Sequence, residues 1–202
     1  MGGSLLTGIT AVIFDIDDTL LDYYAAAIQG AKRFWHTFQT ELGGTEESFV
    51  ELWLKLTEQY HAEYAHGRIS FAEQRRERVR AAFQRPFADS AADEIFTHYL
   101  DCYQQSWTLF DDVLPCLNRL QPHYPLAILT NGHIDHQRLK IERFDLQDRF
   151  VAFVTPEVAG VPKPHPRIFE VACELLQQQP KSCLYVGDKL EVDALAAEAA
   201  GL

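Results

Sequence analysis

The sequence predicts an α/β protein, with a parallel β-sheet covered by helices on both faces and one all-helical insertion. Short apolar runs separated by helical patterns are typical of parallel strands that are buried on both faces. A long stretch without any strand signal, 22–107, predicts the insertion. The apolar runs occupy 10–14, 125–129, 150–154 and 183–186, and each of them stops at polar residues.

Four helices are predicted inside the insertion. Ser70, with Glu73 three places later, is a capping box that opens the third helix. Apolar residues recur with helical period at 28, 31, 35, 38 and 42, at 49, 53, 56, 60 and 64, and again at 96, 99, 103 and 107. The predicted domains are an α/β core at 1–20 and 110–202 and a helical domain at 21–109.

The third predicted helix carries a run of basic residues. Arg75, Arg76, Arg78 and Arg80 are interrupted by Glu77. Mixed charge on a helix usually marks its solvated face, with an anion-binding site as the alternative. We predict a solvated face.

Composition narrows the class of partner. The chain has 202 residues, 47% of them apolar, and a formal net charge of −11, which would repel nucleic acid. No apolar stretch approaches the ~20 residues of a membrane span, and no basic region precedes the short N-terminal apolar segment. Four cysteines without C-x-x-C spacing are typical of a reduced, cytoplasmic protein. We expect a cytoplasmic protein without nucleic-acid or membrane partners.

The first apolar run leads directly into Asp15-Ile16-Asp17-Asp18-Thr19-Leu20. Side chains two apart on a strand point the same way, so Asp15 and Asp17 should converge beyond its end. Neighbouring carboxylates repel unless a cation lies between them, and Mg²⁺ takes such oxygen ligands beside a substrate phosphate. One Asp can then attack phosphorus while the other exchanges protons. The alternative is that Asp17 and Asp18 cap the following helix.

Polar residues after the second run suit a phosphate. Thr130 and Asn131 offer a hydroxyl and an amide beside backbone N–H groups, and Gly132 permits close approach. The alternative is an ordinary helix cap and turn.

A single lysine lies in a proline-rich segment between the third and fourth runs. Lys163 has prolines at 162, 164 and 166, which restrict the backbone around it. A cation on such a stiff loop can neutralise a nucleophile and the developing phosphoryl charge with little ordering entropy left to lose. A connector with an incidental lysine is the alternative.

The fourth run ends at Gly187-Asp188, and Asp193 follows five residues later. Asp188 would supply another carboxylate to the metal, and Asp193 would lie behind it, suited to holding Lys163 or metal-bound water. An Asp cap on the next helix is the alternative. Together, the residues after the first, second and fourth runs and Lys163 provide the parts of a phosphoryl-transfer site.

The chain resembles the haloacid dehalogenase superfamily of phosphatases, which has a Rossmann-like core. Four motifs occur in order: Asp15 to Leu20, Leu129-Thr130-Asn131-Gly132, Lys163-Pro164, and Gly187-Asp188 through Asp193. The insertion is similar to the helical cap of the subclass with phosphoglycolate phosphatases, β-phosphoglucomutases and 5′-nucleotidases. The stretch His66-Gly67-Arg68-Ile69-Ser70 looks like the cap turn of this subclass and, together with Gln137 and Lys140 after the second motif, favours the branch containing house-cleaning nucleotidases.

The resemblance implies that Asp15 becomes a phospho-aspartyl intermediate and that Asp17 is the general acid and base. It implies that Thr130 and Asn131 bind the phosphate, that Lys163 steadies the nucleophile, and that Asp15, the backbone carbonyl of Asp17, and Asp188 hold Mg²⁺. The expected activity is Mg²⁺-dependent hydrolysis of small phosphomonoesters, such as nucleoside 5′-monophosphates or phosphoglycolate-like metabolites. A phosphomutase on the same scaffold and a non-catalytic protein that binds partners through the cap are the alternatives.

Overall fold

The computed structural model describes residues 6–202. The chain forms two compact units, one built from the stretch ending at Asp22 together with Leu109–Leu202, the other from Tyr23–Thr108. Within 6–202, no helix is long and apolar enough to cross a membrane.

The second unit is a bundle of four helices: α1 (Tyr23–Leu42), α2 (Glu46–Ala65), α3 (Phe71–Phe83) and α4 (Asp89–Gln104). The Ser70 side chain accepts a hydrogen bond from the Glu73 N–H at the start of α3, as the capping signal predicts. Aromatic rings fill the bundle interior, with the Trp53 ring 4.7 Å from Tyr99 and 5.2 Å from Phe34. These contacts explain why the insertion needs no strand to bury a core.

The buried face of α1 differs from the predicted one. The helix buries Ala26, Ala27, Gly30, Ala31 and Phe34 rather than the larger apolar residues at 28, 35, 38 and 42. Close packing on α4 explains the shift, because a Cβ on Gly30 would lie 2.8 Å from the Tyr103 Cα. The small residues bring the two backbones together, and periodicity of large side chains missed that face.

The basic run on α3 is only partly a solvated face. Arg76 and Arg80 form ion pairs with acidic residues near the surface. Arg78, however, is only 6% exposed and lies on aromatic rings of the bundle. The prediction of a solvated face is therefore wrong for Arg78, because aromatic faces cover it.

The first unit contains a four-stranded parallel sheet, with strands β1 (Ala11–Phe14), β2 (Leu126–Leu129), β3 (Ala152–Val154) and β4 (Cys183–Val186) in the order β3-β2-β1-β4. The predicted runs and the α/β fold class are confirmed. Every residue of β1 and β2 is buried, as expected for central parallel strands.

Four helices of this unit lie between these strands along the chain, α5 (Val113–Leu120), α6 (Ile134–Arg143), α7 (Pro156–Ala159) and α8 (Pro166–Leu176), and α9 (Leu195–Ala199) follows β4. Ile168 and Phe169 of α8 pack with Ile13 and Leu129 in one apolar cluster against the sheet. Short 3₁₀ turns lie at Gln147–Arg149 and Pro180–Ser182, and a π-helical turn at Leu190–Ala194 precedes α9.

Candidate active site

The sheet order brings the predicted site residues to one edge. Parallel strands end on the same side, and β1 lies between β2 and β4. The residues that follow these strands, Asp15, Thr130 and Gly187, therefore begin three neighbouring loops at their carboxyl ends, where ligands of open α/β sheets bind. The sheet itself thus brings together three of the four predicted motifs, those that follow β1, β2 and β4.

Asp15 is a buried carboxylate next to a buried ammonium. Its side chain lies with Oδ1 3.2 Å from Lys163 Nζ, and the two residues are 6% and 5% exposed. Burial raises the pKa of Asp15 to about 6. The charge of Lys163 lowers this pKa, but the negative charges of Asp17 and Asp193 raise it again. The strand end therefore concentrates negative charge that one lysine does not neutralise.

Lys163 is held from two sides. Its Nζ donates to Asp193 Oδ1 at 2.6 Å and to the Tyr185 hydroxyl at 2.8 Å. Asn131 fixes its backbone, since Asn131 Oδ1 accepts from Lys163 N at 2.7 Å while Asn131 Nδ2 donates to Lys163 O at 2.9 Å. The peptide bond from Lys163 to Pro164 is cis. Lys163 is thus held by side chains from the loop after β2, from β4 and from the π-helical turn.

Asn131 makes contacts that the resemblance does not imply. Both ends of its side-chain amide are engaged with the Lys163 backbone. The side chain therefore acts on the lysine loop, which leaves the backbone N–H of Asn131 and the second hydrogen of its Nδ2 to donate to a phosphate oxygen.

Asp193 lies behind the strand ends, 1% exposed. One of its oxygens accepts from Lys163 and Tyr185, and the other accepts from the Lys189 N–H at 3.0 Å. Gly187 makes room for it, because a Cβ there would lie 2.5 Å from Asp193 Cγ. Asp193 therefore ties the loop after β4 to Lys163.

Three carboxylates form an acidic cluster. One oxygen each from Asp15, Asp188 and Asp193 lies within 4.8 Å of the others. Asp188 is the exposed member, at the open side of the cluster. Like charges this close favour a bound cation.

Thr130 and Gly132 follow β2. Thr130 is 2% exposed, and its Oγ1 accepts from Gln137 Nε2 at 3.0 Å and from the Gly132 N–H at 3.3 Å. Both hydrogen bonds leave the hydroxyl hydrogen of Thr130 available to donate.

Asp17 faces α6. Its Oδ2 accepts from Gln137 Nε2 at 2.8 Å, and its Oδ1 forms a very short ion pair with Lys140 Nζ. Burial alone would raise the pKa of Asp17, but the charge and hydrogen bond of Lys140, with the hydrogen bond of Gln137, hold it below its ordinary value. Helix α1 begins at Tyr23, five residues beyond Asp18, so the capping alternative for Asp17 and Asp18 is wrong.

Sequence reasoning missed three of these contacts. In the sequence, Tyr185 is a member of the apolar run at 183–186. Its position two residues before Gly187 is the signal that could have assigned it to the site. Gln137 and Lys140 were noted as marks of a branch, without a role. Their spacing of three on a helix places them on one face, and that signal was available as well.

Comparison with known proteins identifies the family. Residues 9–201 match the family described as haloacid dehalogenase-like hydrolase. The chain is 31% identical to human (Homo sapiens) N-acylneuraminate-9-phosphatase over 98% of its own length and 81% of that protein. It is 31% identical to glyceraldehyde 3-phosphate phosphatase of Methanopyrus kandleri (96% and 82% covered) and 26% identical to the pyrimidine 5′-nucleotidase YjjG of Escherichia coli (95% and 82% covered).

Solved structures agree on the fold. The magnesium-bound HAD-hydrolase YfnB of Bacillus subtilis superimposes with a TM-score of 0.79 at 22% identity, covering 96% of this chain and 86% of that one. A HAD phosphatase of Thermococcus onnurineus gives 0.67 at 25% identity, covering 96% and 84%. The resemblance drawn from the four motifs is confirmed, and the chain belongs to the haloacid dehalogenase-like hydrolases.

Proposed function

We propose that this hydrolase is a Mg²⁺-dependent phosphatase of small phosphomonoesters and that Asp15 is its nucleophile. The observation that carries the proposal is the buried Asp15 carboxylate, 3.2 Å from the Lys163 ammonium and within the acidic cluster. Burying a carboxylate is costly, and folding alone does not require one at the end of this strand. The three relatives above are named as phosphatases or a nucleotidase, which supports the same chemistry.

The residues present fit a magnesium ion. Asp15 Oδ1 is buried and accepts no hydrogen bond from residues 6–202, although it lies near Lys163. An orphaned oxygen beside two further carboxylates suits a hard cation. We assign the ligands to Asp15, the backbone carbonyl of Asp17, and Asp188, with Asp193 outside, because both of its oxygens already accept hydrogen bonds. Bound Mg²⁺ supplies positive charge that offsets the carboxylate and phosphate charges.

The first step forms the covalent intermediate. A carboxylate oxygen of Asp15 attacks phosphorus and the bond from phosphorus to the ester oxygen breaks. Asp17 has to enter this step protonated, against the Lys140 charge that lowers its pKa, and it gives that proton to the leaving oxygen. Lys163 Nζ, Thr130 Oγ1 and the Asn131 backbone N–H stabilise the charge on the transferred phosphoryl group.

The second step releases phosphate. Asp17, now a carboxylate, takes a proton from water, whose oxygen attacks phosphorus. The bond from phosphorus to Asp15 breaks, so the carboxylate is regenerated and inorganic phosphate leaves. The two steps together consume one water and return every protein group to its starting state.

The substrate class is that of small phosphorylated metabolites. The names of these relatives span phosphatases of an acyl sugar acid phosphate and of a triose phosphate, and a nucleotidase of pyrimidine nucleotides. These molecules share a phosphomonoester on a small polar body. A net charge of −11 further disfavours polyanionic substrates.

A phosphate-release assay with p-nitrophenyl phosphate and a panel of these metabolites tests the proposal. Turnover should require Mg²⁺, stop with a chelator, and be abolished by Asp15→Asn while the variant still unfolds cooperatively. Turnover by folded Asp15→Asn would refute the nucleophile. Isomerisation of a sugar phosphate without phosphate release would favour the phosphomutase alternative, and inertness toward the whole panel would favour the binding protein.

A further inference from the structure

Two buried side chains of α6 converge on one carboxylate. Gln137 is 1% exposed and Lys140 is 2% exposed, and they lie three residues apart on the same face of the helix. Each contacts a different oxygen of Asp17: Gln137 Nε2 lies 2.8 Å from Oδ2, and Lys140 Nζ pairs with Oδ1. Contacts at both oxygens fix the plane of the carboxylate as well as its position.

Folding alone gives no reason for this lysine. A buried ammonium is costly unless it is paired, and an apolar residue of similar volume often serves as well in a core. Lys140 is nevertheless among the largest fully buried side chains of the described residues. Its ammonium reaches a partner 123 residues away in the sequence, at the strand end where the chemistry is proposed.

Gln137 links Asp17 to Thr130, a residue proposed to bind the phosphate. The same Nε2 that donates to Asp17 also donates to Thr130 Oγ1 at 3.0 Å. Gly132 is the residue that admits it, because a Cβ there would lie 1.9 Å from Nε2 and 2.5 Å from Gln137 Cδ. Any larger residue at 132 would displace the glutamine, so the glycine after β2 has a use besides access for phosphate.

We propose that Gln137 and Lys140 are positioning residues, which hold the Asp17 carboxyl group where it meets the ester oxygen of the leaving group. The inference rests on the proposed function, since it assigns Asp17 the proton transfer. Asp17 acts in both steps, but kcat/KM reports only the first, up to release of the alcohol. Departure of a poor leaving group needs the proton from Asp17, whereas a good leaving group departs with little help.

The test is the dependence of kcat/KM on the leaving group. Lys140→Met should lose roughly ten- to a hundred-fold on phenyl or alkyl phosphates and only a few-fold on p-nitrophenyl phosphate. Gln137→Met should show the same pattern at smaller size, and it keeps the test open where Lys140→Met fails to fold. Lys140→Arg, which keeps the charge, should recover part of the loss. Arg138→Met, an exposed position on the same helix, is the matched control and should act like the wild type.

A double-variant cycle separates positioning from a merely structural role. In an Asp17→Asn background, Lys140→Met should change kcat/KM by less than about two-fold, because its target is gone. Equal losses on good and poor leaving groups, or an undiminished loss in the Asp17→Asn background, would overturn the inference.

The same data distinguish the two proposals. If Asp17→Asn itself loses no more on poor leaving groups than on good ones, the proton-transfer role of Asp17 fails, and with it this inference. If Asp17→Asn shows the dependence and the α6 variants do not, the proposed function stands and only the positioning role of Gln137 and Lys140 is refuted.

Discussion

The two units of the molecule treat buried positive charge differently. In the α/β unit, Lys140 and Lys163 each contact carboxylates, Asp17 in one case and Asp15 with Asp193 in the other. In the helical unit, Arg78 is equally buried, but its Nε and Nη2 donate no hydrogen bond to any residue in 6–202.

Aromatic rings take the place of acids around Arg78. Its guanidinium carbon lies 4.6 Å from the centre of the Trp53 ring, 5.1 Å from Phe96 and 5.2 Å from Tyr99. A guanidinium is more weakly hydrated than an ammonium and stacks on such faces. The two buried lysines of the α/β unit thus pair with carboxylates at the strand ends, whereas burial of a cation in this chain does not by itself demand a carboxylate.

Lys163→Met should produce the largest effect on stability and activity, because it removes the cation that pairs with Asp15 and Asp193. It leaves the buried Asp15 and Asp193 carboxylates without their cation, so we expect a loss of about 3–5 kcal/mol in the free energy of unfolding. Phosphate release should fall by at least ~10³-fold, because the counter-charge for the nucleophile is gone. Urea denaturation and a phosphate-release assay measure both effects.

The control for that variant is Lys181→Met, at an exposed lysine of the same unit. It should leave stability and turnover near the wild-type values. A Lys163→Met protein as stable and active as this control would contradict the account of the strand-end charges.

Magnesium should give the next largest effect. A cation among Asp15, Asp188 and Asp193 relieves their repulsion, so saturating Mg²⁺ should raise the Tm, corresponding to about 2.7 kcal/mol at a concentration of a hundred times Kd. Asp188→Asn should weaken that response at least ~10-fold in Mg²⁺ concentration. Differential scanning fluorimetry with and without chelator provides the measurement, and an unchanged response in Asp188→Asn would remove this residue from the metal site.

Arg78→Met tests the buried cation of the helical unit. Methionine keeps an unbranched apolar stem against the rings, and it removes both the cation–π attraction and the cost of burying the charge. We expect the free energy of unfolding to change by no more than about 1 kcal/mol, measured by urea denaturation beside Lys163→Met. A loss as large as that of Lys163→Met would mean that the two buried cations are stabilised alike.

Arg76→Gln should have the smallest effect. Arg76 pairs with Asp93 through two hydrogen bonds of 2.8 Å and with Asp89 at 2.7 Å, on the half-exposed side of α3. Surface pairs contribute little and are screened by salt. The Tm should drop slightly in dilute buffer and match the wild type in ~1 M NaCl; a deficit that persists in salt would place Arg76 with the buried cations.

The sheet and most of the site followed from local signals. Continuous apolar runs located β1 to β4, and parallel strands bring the residues after them to one edge, so Asp15, Thr130 and Asp188 were expected to meet there. The contacts of Lys140 and Gln137 depend on the rotation of α6 about its axis, which sequence periodicity gives only coarsely. The burial of Arg78 could not be predicted, because a charged residue is normally exposed and nothing in the sequence shows that aromatic rings surround this one. The close approach of α1 to α4 depends on Gly30, which contributes nothing to a hydrophobic pattern.

The most direct test of the central claim is to identify the residue that carries the phosphoryl group during turnover. Enzyme mixed with Mg²⁺ and an aryl phosphate is quenched rapidly in acid, digested and examined by peptide mass spectrometry. We expect one added phosphoryl group on the peptide at Asp15, absent from Asp15→Asn and lost when hydrolysis is allowed to finish. Turnover with no acyl phosphate at Asp15, or with the phosphoryl group on another residue, would contradict it.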